Sequence, residues 1–223
     1  MIDSNSLAER GFTVAKGLLS EAECRALTAL WPEETVFRKR VIMQRHGYGQ
    51  GEYQYFTYPL PAPVQALREA LYPEIARVAN LWNEQLGRSD RFPTALPDWL
   101  ARCHAAGQSK PTPLLLRYRD GDYNCLHRDL YGELVFPLQA TVLLSAPDRD
   151  FEGGEFMLVE QRPRMQSRGE VVSLARGDAV LFAVNERPVR GSRGYHRTSM
   201  RHGVSSVRRG ERFTLGLIFH DAA

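Results

Sequence analysis

From Pro113 onward the sequence consists of short β-like runs separated by turn residues. Glycine, proline or aspartate lies in the turns, as in the Asp-Gly-Asp of 120–122 and the Arg-Gly-Asp of 176–178. Eight short strands that follow a helical first half predict an α+β, mainly β fold, in which a jelly roll is backed by N-terminal helices. The eight runs are 113–118, 123–129, 134–145, 154–160, 170–174, 178–184, 199–207 and 211–219.

The first half of the chain carries helical signals. Ser20 and Glu23 form a capping-box pattern at the start of one helix. An apolar stripe at helical spacing predicts a second helix over 61–86, which Pro73 is expected to break or kink. A third helix is predicted over 98–106.

Length and cysteine content indicate one domain in a reducing compartment. The 223 residues suffice for a single domain, which we expect to comprise a mainly helical support, 1–110, and a jelly-roll catalytic core, 111–223. Cys24, Cys103 and Cys125 form no C-x-x-C pair, which argues against a disulfide framework or a cysteine zinc site. The net charge of +3 does not by itself indicate nucleic-acid binding. With no apolar run of signal-peptide or membrane-helix length, we expect a cytoplasmic protein without membrane contact.

A basic and aromatic segment over 37–58 is open to two interpretations. Its glycines at 47, 49 and 51 favour a turn between two strands. In an edge hairpin, the arginines would be solvated and the tyrosines half buried. In a substrate lid, cations would follow phosphates and aromatic faces would stack on bases or sugars. The candidate substrate contacts are Arg40, Arg45, Tyr53 and Tyr55.

His127 and Asp129 form a His-x-Asp pair at the end of a predicted strand. Alternate residues of a strand point to the same face, so the imidazole and the carboxylate should lie side by side. A second, distant histidine would complete a facial set of two histidines and one carboxylate, which leaves the other metal positions open. His202 is the preferred third ligand because Gly-Val follows it and Arg212 stands ten residues later, whereas His196 reads as a loop residue.

Arg212 opens the last predicted strand and is expected to face the interior of the barrel. The odd positions from 213 to 219 are large and apolar and should pack on the helices, so Arg212 and Thr214 would share the opposite face. A buried guanidinium needs a partner, and its fork matches a carboxylate in two parallel hydrogen bonds. The pattern therefore indicates an acidic co-substrate, to which Thr214 and Tyr118 could add hydroxyl groups.

These motifs together resemble the double-stranded β-helix of the 2-oxoglutarate- and iron(II)-dependent dioxygenases. The resemblance covers about half of the chain and is most similar to the prolyl-hydroxylase-like branch. The whole chain, including 11–31, resembles a bacterial group of such oxygenases described as acting on damaged DNA. The matching pieces are 118–129, 151–156, 177–182 and 202–212.

The resemblance implies an enzyme with Fe(II) and 2-oxoglutarate as cofactors and O2 as co-substrate. The metal would be held by the two histidines and the aspartate, and the distal carboxylate of 2-oxoglutarate would meet the arginine. Decarboxylation of 2-oxoglutarate would be coupled to hydroxylation of a substrate C–H bond. The implied residues are His127, Asp129 and His202 for the metal, and Arg212, Tyr118 and Thr214 for 2-oxoglutarate.

The substrate is open at this point. An alkylated nucleobase, undergoing oxidative demethylation, competes with a protein or peptide side chain. The eight arginines between 187 and 212 are either a solvated loop or a positive rim that attracts an anion. Two rivals come from other classes, namely a catalytically silent nucleic-acid-binding module on the same barrel and a cupin-like metal isomerase.

Overall fold

The computed structural model describes residues 2–162 and 164–223, and strands dominate it. The α-helices are α1 (Ser4–Arg10), α2 (Glu21–Thr28), α3 (Ala62–Gln85) and α4 (Leu96–Ala105). The strands are β1 (Phe12–Ala15), β2 (Phe37–Ile42), β3 (Gly49–Gln50), β4 (Glu52–Phe56), β5 (Leu114–Tyr118), β6 (Tyr123–His127), β7 (Leu138–Leu143), β8 (Phe151–Gly153), β9 (Phe156–Gln161), β10 (Arg168–Val172), β11 (Ala179–Ala183), β12 (Glu186–Gly191), β13 (Gly194–Val204), β14 (Val207–Gly210) and β15 (Arg212–Ile218). Short 3-10 turns cover Glu34–Val36 and Met43–His46.

Two antiparallel sheets form the body of the molecule. The larger has the strand order β1-β11-β7-β15-β5-β4-β2, and the smaller has the order β10-β9-β13-β6-β3, with β12 paired to the first part of β13. The sheets pack face to face, since the ring of Phe156 in β9 lies 5.0 Å from that of Phe182 in β11. β8 and β14 form a separate two-stranded ladder. The predicted mainly β jelly roll with N-terminal helices is confirmed.

Helix α3 covers the larger sheet through an apolar face at helical spacing. Tyr72 of α3 packs with its ring centroid 5.2 Å from that of Phe136, and Ile75 one turn on is fully buried. The helix runs through Pro73, so the break that was one of the two expected effects is absent, and burial of the neighbouring Tyr72 and Ile75 stabilises this turn. No helix within the described ranges is both long and apolar enough to span a membrane.

The second half of the chain contains more strands than the sequence predicts. Each of the eight predicted runs coincides with a strand, but β8, β12 and β14 were missed. The stretch around His196, expected to be a loop, is instead the hairpin of β12 and β13, in which His196 lies opposite Val189. The predicted helix start at Ser20 is confirmed, because its hydroxyl and the Glu23 carboxylate form a reciprocal capping box.

The segment 37–58 joins the two sheets at one end of the barrel. β2 pairs antiparallel with β4 and is the last strand of the larger sheet, as an edge hairpin requires. Between them, β3 pairs with β6 of the smaller sheet. The segment therefore lies beside β6, the strand that ends at His127.

Candidate metal centre

His127 and His202 are direct partners across two neighbouring strands. β6 and β13 pair with His202 opposite His127, and the two ring centroids lie 4.2 Å apart. Asp129 follows two residues after His127. Its Oδ1 is 3.5 Å from His127 Nε2, and its Oδ2 is 3.4 Å from His202 Nε2. One donor atom from each residue lies within 4.8 Å of the others, so the three can hold one metal ion.

Neighbouring groups orient these donors. His127 Nδ1 lies 2.7 Å from the Cys125 carbonyl oxygen, and an N–H at Nδ1 donating to that carbonyl leaves the Nε2 lone pair for a metal. The Tyr131 hydroxyl donates to Asp129 Oδ1 at 2.8 Å, and the Gln139 amide donates to Oδ2 at 2.9 Å. Sequence reasoning missed Tyr131 and Gln139. The position of Gln139, a polar residue in the otherwise apolar start of β7, was the available signal.

Burial and mutual attraction set the protonation of the cluster. Burial acts to raise the pKa of Asp129, but hydrogen bonds from both histidines overcome it and leave that pKa well below its usual range. Burial acts to lower the pKa of His127, yet the neighbouring Asp129 carboxylate raises it overall. Burial lowers the pKa of His202. The aspartate is therefore an anion, as a metal ligand must be.

A cavity of about 290 Å³ opens beside the cluster and is lined by strands of both sheets. Tyr118 of β5 and Thr214 of β15, both predicted to contact the cofactor, line this cavity. Burial raises the pKa of Tyr118 to about 12, so its phenol keeps its proton at neutral pH. The cavity thus offers two hydroxyl groups in addition to the donor atoms of the cluster.

Arg212 lies one cross-strand step from Tyr118 but does not line the same cavity. The two residues are partners in the β15–β5 ladder, with the guanidinium carbon 5.5 Å from the Tyr118 ring centroid. Arg212 borders a smaller space of about 170 Å³, and Phe156 lines both spaces. Arg212 is 1% exposed, and its Nε and Nη1 have no hydrogen-bond partner in the part of the chain that the structure describes. Such buried, unpaired donors fit a ligand carboxylate.

The four residues predicted to contact substrate lie in different environments. Tyr53 lines the metal cavity, and Tyr55 is buried with its hydroxyl 3.1 Å from that of Tyr131. Arg45 is exposed in the Met43–His46 turn. Arg40 does not line the metal cavity and instead pairs with Glu52.

The arginine-rich stretch is not a uniform positive rim. Its buried members are Arg187, which pairs with Glu160, and Arg212. His196 is exposed, six positions along β13 from His202, and is not part of the cluster. Three further arginines are within ion-pair distance of glutamates, namely Arg197 with Glu186, Arg208 with Glu155 and Arg209 with Glu152.

Two sheets with a His-Asp-His cluster between them define a 2-oxoglutarate- and iron(II)-dependent oxygenase. Solved structures share this fold. A prolyl-4-hydroxylase of Pseudomonas putida superposes with a TM-score of 0.56 at 16% identity, covering 99% of this chain and 97% of that one. A 2OG-Fe(II) oxygenase family oxidoreductase of Burkholderia pseudomallei gives a TM-score of 0.54 at 16% identity, covering 99% and 91%.

Sequence comparison places the chain in a particular family. Residues 51–222 match the Oxygenase-NA family, described as oxygenases catalysing oxidative methylation of damaged DNA. The chain belongs to this family. An uncharacterised protein of Mycobacterium tuberculosis is 53% identical over 168 residues, which are 75% of this chain and 72% of that protein.

Proposed function

We propose that this oxygenase acts on alkylated nucleic acid and removes the alkyl group by hydroxylating it. The description of its family carries the proposal, since the matched range, 51–222, includes every residue of the cluster and every residue that lines the cavity beside it except Tyr48. A methyl group on a base nitrogen that gains a hydroxyl group is lost as formaldehyde, so the proposal specifies a measurable product.

Each cofactor has residues that suit it. His127 and His202 would bind Fe(II) through Nε2, and Asp129 through a carboxylate oxygen. Bound iron, together with 2-oxoglutarate and O2, supplies hydroxylation of a C–H bond coupled to decarboxylation of 2-oxoglutarate. Arg212 would bind the distal carboxylate of 2-oxoglutarate through its guanidinium, of which Nε and Nη1 have no partner among the described residues.

The remaining contacts hold this arrangement in place. Tyr131 and Gln139 occupy one lone pair on each Asp129 oxygen, which restrains the carboxylate without neutralising it. The phenol of Tyr118 is itself held by Asn124, whose amide donates to it at 3.3 Å. Apolar side chains such as Leu116 and Leu217 wall the cavity and keep water from the reacting C–H bond.

Product analysis tests the proposal. Purified protein, reconstituted with Fe(II) under anaerobic conditions, would be given 2-oxoglutarate, O2 and single-stranded oligonucleotides with or without N-methylated bases. We expect succinate and formaldehyde in equal amounts with the methylated oligonucleotide only, and neither product from His202→Ala. Turnover with proline-containing peptides but not with oligonucleotides would identify a peptide hydroxylase instead. Oligonucleotide binding without any 2-oxoglutarate consumption would indicate a silent binding module.

A further inference from the structure

A second cavity, of about 450 Å³, adjoins the metal cavity. The two cavities are neighbours, because Tyr48, Tyr53 and Tyr131 line both of them. Away from this shared wall, the second cavity is lined by the basic side chains Arg38, Lys39, His46 and Lys110. We call these four residues and the space they border the cationic annex.

A β-bulge accounts for two adjacent cations on one face. In the β2–β4 ladder, Lys39 lies opposite Tyr55 and Arg40 opposite Gln54, so Lys39 faces the annex and Arg40 faces away. The register shifts between Phe37 and Lys39. This irregularity brings Arg38 to the same side as Lys39, where its guanidinium carbon lies 4.6 Å from the Tyr55 ring centroid.

Three cations of the annex form no ion pair with any described residue. Among the described residues, no aspartate or glutamate side chain lines the cavity. Within 2–162 and 164–223, no carboxylate lies within ion-pair distance of Arg38, Lys39 or Lys110. By contrast, Arg40 on the opposite face of the same strand pairs with Glu52. Unpaired cations around a concave space attract an anionic ligand.

Aromatic faces lie next to these cations. The rings of His46 and Tyr48 stack with centroids 5.3 Å apart and an interplanar angle of 21°, and Tyr48 is 50% exposed. Proteins bind single-stranded nucleic acid through an exposed aromatic ring next to unpaired cations, because bases stack on the ring while the cations contact the phosphates. An acidic peptide would use the cations but not the ring face.

We propose that the cationic annex binds the single-stranded nucleotides next to the one whose base enters the metal cavity. Lys39, Lys110 and Arg38 would contact phosphates, and a neighbouring base would stack on Tyr48. This inference rests on the proposed function, because it takes nucleic acid as the substrate. It also predicts the path of the nucleic acid, which would leave the metal cavity past Tyr48 and Tyr53 toward β2.

Binding measurements on full-length protein test the annex separately from turnover. The probe is a fluorescein-labelled oligo-dT, followed by anisotropy over a range of salt concentrations. Lys39→Gln/Lys110→Gln should bind about tenfold more weakly, and the slope of log affinity against log salt should fall by about 1.4, since each single-strand phosphate contact contributes about 0.7. Tyr48→Ala should bind at least about fivefold more weakly, while Tyr48→Phe, which keeps the ring, should bind like the wild type.

Arg40→Gln is the matched control, because it removes a cation from the opposite face of the same strand. Its affinity and salt slope should equal those of the wild type. Equal losses in Arg40→Gln and in the double lysine variant would overturn the annex, as would wild-type binding by the double variant. The annex would instead be assigned to an acidic peptide if a poly-glutamate peptide displaced the oligonucleotide equally well from the wild type and from Tyr48→Ala.

The two proposals fail in different ways. Turnover of methylated oligonucleotides together with unchanged binding by the double lysine variant would refute the annex and leave the proposed function standing. Annex-dependent binding of oligo-dT without succinate or formaldehyde from methylated oligonucleotides would support the annex and refute the proposed function.

Discussion

Replacing Arg212 with methionine is expected to stabilise the free protein and to weaken its binding of 2-oxoglutarate. Burial lowers the pKa of Arg212 from 12.5 to about 10, and that difference corresponds to about 3 kcal/mol of unfavourable free energy in the folded state. Methionine fills much of the same volume and carries no charge. Recovering most of this energy would raise Tm by about 5 to 10 °C for a chain of this size.

The effect on the cofactor has the opposite sign. Two charge-assisted hydrogen bonds from the guanidinium to the ligand carboxylate, each worth about 1.5 to 3 kcal/mol, would be lost with the side chain. The affinity for 2-oxoglutarate should therefore fall by a factor of about 100 or more. Thermal unfolding without added cofactors gives the first quantity. Anaerobic titration of the Fe(II) protein with 2-oxoglutarate, followed by the visible metal-to-ligand charge-transfer band, gives the second.

Arg187→Met is the matched control, because Arg187 is also buried, at 5% exposure, but is paired with Glu160. Removing one partner of a buried pair leaves the other charge uncompensated, so this variant should lose about 3 kcal/mol and bind 2-oxoglutarate normally. The reasoning would be refuted if Arg212→Met unfolded at a lower temperature than the wild type and bound 2-oxoglutarate with wild-type affinity.

Three further predictions concern the histidines and the second contacts of the cluster. His202→Ala should lose stoichiometric iron after anaerobic reconstitution and His196→Ala should retain it, because His202 lies beside Asp129 whereas His196 is exposed and outside the cluster; equal iron contents would contradict the assignment. Tyr131→Phe removes a hydrogen bond to Asp129 and should weaken iron binding by about 10-fold or more in competition with a chromogenic chelator, whereas unchanged affinity would argue against a positioning role. Burial lowers the pKa of His220 to about 4, so as pH falls this histidine is protonated in the unfolded chain before it is protonated in the folded protein. The free energy of unfolding should then drop by up to about 3 kcal/mol between about pH 6.5 and pH 4 in denaturant titrations, and His220→Asn should show a shallower drop.

The strands that sequence predicts are those whose side chains alternate or form apolar runs. β11, with the sequence Ala-Val-Leu-Phe-Ala, is buried at every position, and its apolar run could be read directly. β12 was missed because Pro188 and two arginines make it read as a loop. It forms because β13 supplies its backbone partners and Glu160 neutralises the buried Arg187.

The parts of the candidate site that depend on local spacing could be predicted from the sequence, and the parts that depend on three-dimensional contacts could not. The face shared by His127 and Asp129 follows from local spacing, and the search for a distant histidine led to His202. The contacts of Tyr131 and Gln139 with the carboxylate depend on how loops and strands meet in three dimensions, which spacing does not encode. The placement of Arg38 and Lys39 on one face depends on the register shift between Phe37 and Lys39, which the residue pattern does not reveal.

Because His127 and His202 meet only in the folded protein, metal binding depends on folding. These residues are cross-strand partners although they lie 75 positions apart in the sequence (202 − 127), so an unfolded chain has no preformed pocket for the ion. A ligand that binds only the native state protects it by about 1.4 kcal/mol for every tenfold excess over its dissociation constant. Cells that starve for iron would therefore carry this polypeptide in a more easily unfolded and more easily degraded form, and iron supply would control its abundance as well as its chemistry.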